Sequence, residues 1–131
     1  MKLLLDTHVL IWLGTSSNLL PPATTAIINN PANEIFVSMV TIYEVAIKMN
    51  IGKLKIGKSV LRFYQDAVAD NIEILPISPT YLATFANLPL FPNHKDPFDR
   101  LIIATALTDN LSIITADAKF SLYKDLVTLV W

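Results

Sequence analysis

At 131 residues the chain fits one domain, 1–131, long enough to bury about two-thirds of its unfolded surface without disulfides or a structural metal. A net charge of −1 excludes coating nucleic acid by bulk electrostatics, and the absence of cysteine excludes disulfides, thiol catalysis and thiolate metal sites while suiting a reducing cytoplasm. The 53% apolar content against 16% charge points to apolar surface reserved for a partner.

The opening "KLLLD" reads as a buried strand. Three leucines reach Asp6 without forming the longer apolar core of a signal peptide. A helix follows over 7 to 13 and another over 22 to 29. Thr7 to Asn33 lacks Asp, Glu, Lys and Arg, yet Gly14, Ser16, Ser17, Asn18, Pro21 and Pro22 break it well short of a membrane-spanning helix. "EIFVS" (34 to 38) is a second strand, with Ser38 placed to cap a helix over 39 to 50, and a further helix runs over 58 to 70. "IEILPI" (72 to 77) is a third strand. Pro79 and Pro97 then open helices over 79 to 87 and 97 to 109, at the first helical position where a missing N–H costs nothing. In the latter, Phe98, Leu101, Ile102, Ala104 and Ala106 predict a well-buried helix. "LSIIT" (111 to 115), a short helix near 118 to 123 and "LVTLVW" (126 to 131) complete the chain. Continuous apolar strands alternating with helices predict a three-layer α/β fold with a central parallel sheet of about five strands, covered on both faces.

In such sheets ligands sit at the carboxyl ends of the strands, near the point where strand order reverses. Asp6 follows the first strand and Asp117 the fourth, while Glu44 lies in the helix after the second strand and Asp99 in the first turn of the helix leading into the fourth. Each has a simpler explanation. Asp6, Asp96 and Asp117 are placed as helix caps, Asp99 as the third residue of a capping box, and Glu44 as the i, i+4 partner of Lys48. Together, four carboxylates at one end of a sheet would repel one another unless a hard cation such as Mg²⁺ or Mn²⁺ joined them. Such a cation lowers the pKa of bound water and suits hydrolysis of a phosphodiester. Thr7 and Thr115, at strand ends, are placed to orient a carboxylate or water, and His8 and His94 more often pack or hydrogen-bond than ligate. Lys48, Lys53, Lys55, Lys58 and Arg62 hold half of the ten basic residues, either as a solvated face or as a local phosphate-binding patch.

"LLLDTHVLIWL", "VSMVTIYEVAIKMNIGKL", "HKDPFDRLIIATAL" and "IITADAKFSLY" resemble, in order, the blocks of PIN domains, specifically the VapC-like toxins of bacterial toxin–antitoxin pairs. The resemblance implies a Mg²⁺- or Mn²⁺-dependent endoribonuclease of the cytoplasm. Its acidic residues map onto Asp6, Glu44, Asp99 and Asp117, with Asp96 a neighbouring acid and Thr115 the hydroxyl before the last one. Lys48, Lys53 and Arg100 would then hold phosphate, and the partners implied are RNA, a small antitoxin laid over an apolar groove and the acidic site, and a second copy of the chain. Two departures stand out: Tyr43 where many relatives carry tryptophan, and a slightly longer approach, "LPLFPNHKDPFDR", to the third acid. The alternative is a catalytically silent PIN-fold module that binds a protein through its apolar groove. A receiver-type enzyme is disfavoured because Thr7 and His8, not a second acid, follow Asp6, and no glycine-rich phosphate loop occurs.

Overall fold

The computed structural model describes residues Met1–Trp131. In chain order these form β1 (Lys2–Leu5), α1 (Thr7–Gly14), α2 (Pro22–Asn29), β2 (Glu34–Ser38), α3 (Met39–Asn50) and α4 (Val60–Ala69). There follow β3 (Glu73–Leu75), α5 (Pro79–Ala86), α6 (Pro97–Asp109), β4 (Ser112–Ile114), a 3₁₀ turn (Ala118–Tyr123) and β5 (Leu129–Val130). Local chemistry sets most boundaries. Ser38, Ser59 and Ser78 cap α3, α4 and α5 through their hydroxyls, and Asn110 ends α6 in the left-handed region at φ 54°.

Several elements are shorter than the sequence suggests, among them β3, α4, α5, β4 and β5. β3 stops before Pro76, which has no N–H to give the ladder. α4 begins after Ser59 rather than at 58, because the Ser59 hydroxyl accepts the Arg62 N–H at 3.1 Å. β5 starts only at Leu129, since the N–H groups of Leu126 and Val127 both turn back to the Tyr123 carbonyl.

All five strands are parallel, in the order β3-β2-β1-β4-β5. β1 is central, with Leu4 opposite Phe36 on one side and Ile113 on the other. Strand order reverses at β1, so the crevice expected to take a ligand lies at the carboxyl ends of β1 and β4. Leu3 and Leu5 face a layer containing Val9, Leu10, Ile28, Val45, Phe63 and Ala67 from α1 to α4. Leu4 faces the opposite layer, built on Leu101, Ile102 and Ala106 of α6 with Tyr81 of α5 and Phe120 and Tyr123 of the 3₁₀ turn. At Gly14 a Cβ would stand 2.8 Å from the Phe63 ring, so the end of α1 packs on α4 only with glycine there. No helix is long and apolar enough to cross a membrane.

Candidate active site

Asp6 is the first residue after β1, and its own N–H continues the sheet by donating to the Ile114 carbonyl at 3.0 Å. The side chain is 2% exposed. Its Oδ1 accepts the Thr7 N–H at 2.6 Å, capping α1, while Oδ2 accepts the Thr115 hydroxyl at 2.8 Å. Each oxygen of Asp6 thus accepts one hydrogen bond and keeps a further lone pair. Thr7 turns its hydroxyl to that of Thr41, 3.1 Å away on α3, and so ties the starts of two helices together.

Thr115 serves two acids. It donates to Asp6, and its Oγ1 accepts the Asp117 N–H at 3.0 Å. Asp117 is half-buried and caps the 3₁₀ turn by accepting the Lys119 N–H. Asp96 caps α6, its Oδ1 accepting from the N–H groups of Phe98 and Asp99. Asp99 does not complete a capping box. Its Oδ2 instead meets His94 Nε2 at 3.0 Å.

Asp6 lies within electrostatic reach of both Asp117 and Asp99. Burial raises the Asp6 carboxyl above its ordinary value, Asp117 adds to the rise, and the Thr115 and Thr7 hydrogen bonds oppose it. Burial also pushes Asp99 up to about 6, reinforced by the charges of Asp96 and Asp6 and opposed by His94. Glu44, on the second turn of α3, is 8% exposed. Its Oε2 lies 3.2 Å from Lys48 Nζ, the expected i, i+4 pair, whereas its Oε1 is buried without a hydrogen-bond partner. No three His, Asp or Glu side chains lie close enough together to clasp an ion by themselves.

Several of the basic residues are committed. Arg100, expected to hold phosphate, is 5% exposed and turned inward. Its guanidinium donates to the Pro89 carbonyl and the Tyr123 hydroxyl and lies over the Phe85 ring. That expectation is corrected: a buried guanidinium with these partners braces the loop before α6. Lys48 is paired with Glu44, and Lys58 and Arg62 share Asp66. Lys53 is exposed with no ion pair, as is Lys55. The patch of five is thus a smaller one.

His8 is exposed on α1 beside Trp12, whereas His94 is 2% exposed and bonded on both nitrogens. Sequence reasoning left His94 without a role. The spacing from His94 to Asp99 crosses a loop and a helix start, so no periodicity reveals the pair.

The PIN domain family model matches residues 3–126. The chain is 32% identical over 117 residues to Ribonuclease VapC22 of Mycobacterium tuberculosis, covering 88% of this chain and 87% of that protein. Its fold is similar to that of DNA-bound VapBC from Salmonella typhimurium, with a TM-score of 0.73 at 18% identity over 99% of this chain and 97% of that one. A toxin–antitoxin complex from Klebsiella pneumoniae is similar with a TM-score of 0.64 at 25% identity, over 98% and 95% of the two chains.

Proposed function

The chain belongs to the PIN domain family, and from that premise we propose that it is the toxin ribonuclease of a toxin–antitoxin pair, hydrolysing RNA phosphodiester bonds in the cytoplasm with Mg²⁺ or Mn²⁺. The observation that carries this reading is Asp6: a carboxylate 2% exposed, free of any ion pair, and pressed by the charge of Asp117. A buried, unpaired acid among acids is costly unless a cation offsets it.

The donor set fits such a cation. It consists of carboxylate oxygens and hydroxyls without thiol, the chemistry hard divalent ions prefer. The unpartnered, buried Glu44 Oε1 is an acceptor left over by the fold. The want of a three-residue clasp does not count against it, because Mg²⁺ usually keeps several waters and takes only one or two carboxylates directly. Asp6, Asp99 and Asp117 would hold the ion, with Glu44 binding directly or through water. A bound ion would acidify water and steady the charge on the phosphate.

The chain's own residues do the rest. Thr115 fixes the rotamer of Asp6 and the backbone of Asp117 with one hydroxyl, so the two acids keep their places across the β1–β4 crevice. Thr7 and Thr41 hold α1 and α3 in register beside it. Lys48 steadies Glu44 in α3, and Lys53 supplies a free cation for the RNA backbone. Around this opening Met39 and Tyr43 of α3 are exposed, the latter edge-on to Phe98 at 5.9 Å, an apolar margin suited to a small antitoxin that silences the enzyme. The active unit is a homodimer in this reading.

Purified chain, freed of antitoxin, is expected to cut RNA with Mn²⁺ or Mg²⁺ and to stop on adding EDTA. Asp6→Asn and Asp99→Asn should each lower cutting at least 100-fold, on the order expected when a positioned catalytic acid is lost. Cutting that survives both substitutions, or that never occurs under conditions where a VapC relative cuts, overturns the assignment.

A further inference from the structure

His94 sits at the end of the loop that enters α6, held by a turn in which its N–H donates to the Phe91 carbonyl at 3.1 Å. Its ring is enclosed by Phe120 and Tyr123. Nδ1 lies 2.9 Å from the Tyr123 hydroxyl and Nε2 lies 3.0 Å from Asp99 Oδ2. The Tyr123 oxygen also accepts an Arg100 N–H at 3.0 Å, and Arg100 reaches the Pro89 carbonyl at 2.9 Å. A single buried line thus runs from the main chain at Pro89 to one oxygen of Asp99.

Counting hydrogens gives the line a direction. Arg100 can only donate, so Tyr123 accepts from it and has its own hydroxyl hydrogen left for His94 Nδ1. Nε2 then carries the imidazole hydrogen and donates to the Asp99 carboxylate. The opposite tautomer would set the lone pair of Nε2 against those of Oδ2.

The arrangement keeps the fixed positive charge off Asp99. Arg100 is the next residue along, yet its guanidinium is spent on a neutral carbonyl and a phenol. A guanidinium paired with Asp99 would hold the carboxylate but also oppose a second cation. An imidazole N–H orients it without doing so, and Asp99 Oδ1 remains without a hydrogen-bond partner. Resting on the reading of Asp99 as a metal-holding acid, we propose that His94 is a positioning residue: it fixes Asp99 Oδ2 through Nε2–H and reserves Oδ1 for the cation, with Tyr123 and Arg100 setting its tautomer.

Mn²⁺ titration of the full chain, followed by the spectrum of free Mn²⁺, tests this with melting temperature recorded in EDTA. His94→Phe, which fills the ring's space without a donor, is expected to weaken Mn²⁺ binding about tenfold, within the range typical when an outer partner of a metal ligand is lost. His94→Gln, whose amide can stand near Nε2, should recover most of that loss. In RNA cleavage kcat falls in His94→Phe while KM changes little. If His94→Phe does not fold, Tyr123→Phe carries the test, with a loss of about threefold expected from a freed ring orientation. In wild-type protein without metal, the nitrogen spectrum should show the hydrogen of His94 on Nε2. A folded His94→Phe or Tyr123→Phe that binds Mn²⁺ like the wild type, or a hydrogen resting on Nδ1, overturns the proposal. Wild-type protein that binds no Mn²⁺ overturns instead the reading of Asp99 on which it rests.

Discussion

Burial of Asp6 and Asp99 imposes a cost on the fold that can be measured. Both have carboxyl pKa values raised chiefly by burial, Asp99 to about 6. The folded state therefore binds protons more tightly than the unfolded chain. The stability this contributes is complete below the unfolded value near 3.8 and is lost as pH rises through about 6. Asp66 runs the other way, its carboxyl held low by Lys58 and Arg62, but its effect falls below that window. Asp99→Asn should thus make the metal-free protein more stable than wild type at pH 7.5 by about 1–2 kcal/mol, with the difference vanishing near pH 4. Urea unfolding at the two pH values measures it. Adding Mn²⁺ at pH 7.5 should reverse the order, since the ion stabilises the wild-type carboxylate alone. Equal stability of the two proteins at pH 7.5 without metal would show that burial of Asp99 carries no such cost.

At the level of elements, the junction of β2 with α3 has no loop at all. Ser38 ends the strand and caps the helix, its hydroxyl accepting the Val40 N–H at 3.1 Å, and is 2% exposed. Ser38→Ala is expected to cost about 1 kcal/mol of unfolding free energy, the usual price of a lost cap. Ser38→Asn offers an acceptor again but adds bulk at a buried position, so it should recover only part. Junctions of this kind are why the elements were legible: Ser38, Pro79, Pro97 and Asp96 announce helix starts by chemistry that acts within a few residues. β5 was less so, because Leu126 and Val127 are as apolar as a strand yet their N–H groups are taken by Tyr123. The site divides in the same way. Asp6 and Asp117 could be placed from strand ends alone, and the Glu44–Lys48 pair from helical spacing. The burial of Glu44 and the inward turn of Arg100 could not, for both depend on which layers close over them. The link from His94 to Tyr123 joins residues 29 apart through a side-chain hydrogen bond with no local signature.

Across the whole molecule, β1 sits between β2 and β4 with an apolar layer on each face, and it ends at Asp6. The two layers share the sheet: Leu5 belongs to one and Leu4 to the other, and both side chains are fully buried. Loss of packing on either face must then loosen the strand that carries Asp6. Leu4→Ala and Leu5→Ala are each expected to lower the unfolding free energy by about 2–5 kcal/mol, as large-to-small changes in a close-packed core do. Urea unfolding should remain a single transition for both, with the midpoint lowered and the slope unchanged, because neither layer has a sheet of its own to fold on. Mn²⁺ should stabilise both variants less than wild type, since the ion binds only where the junction of β1 with β4 and Asp99 is intact. A variant that unfolds in two steps, with one step insensitive to Mn²⁺, would mean that one layer stands without the strand, and that the position of Asp6 is set by a single face.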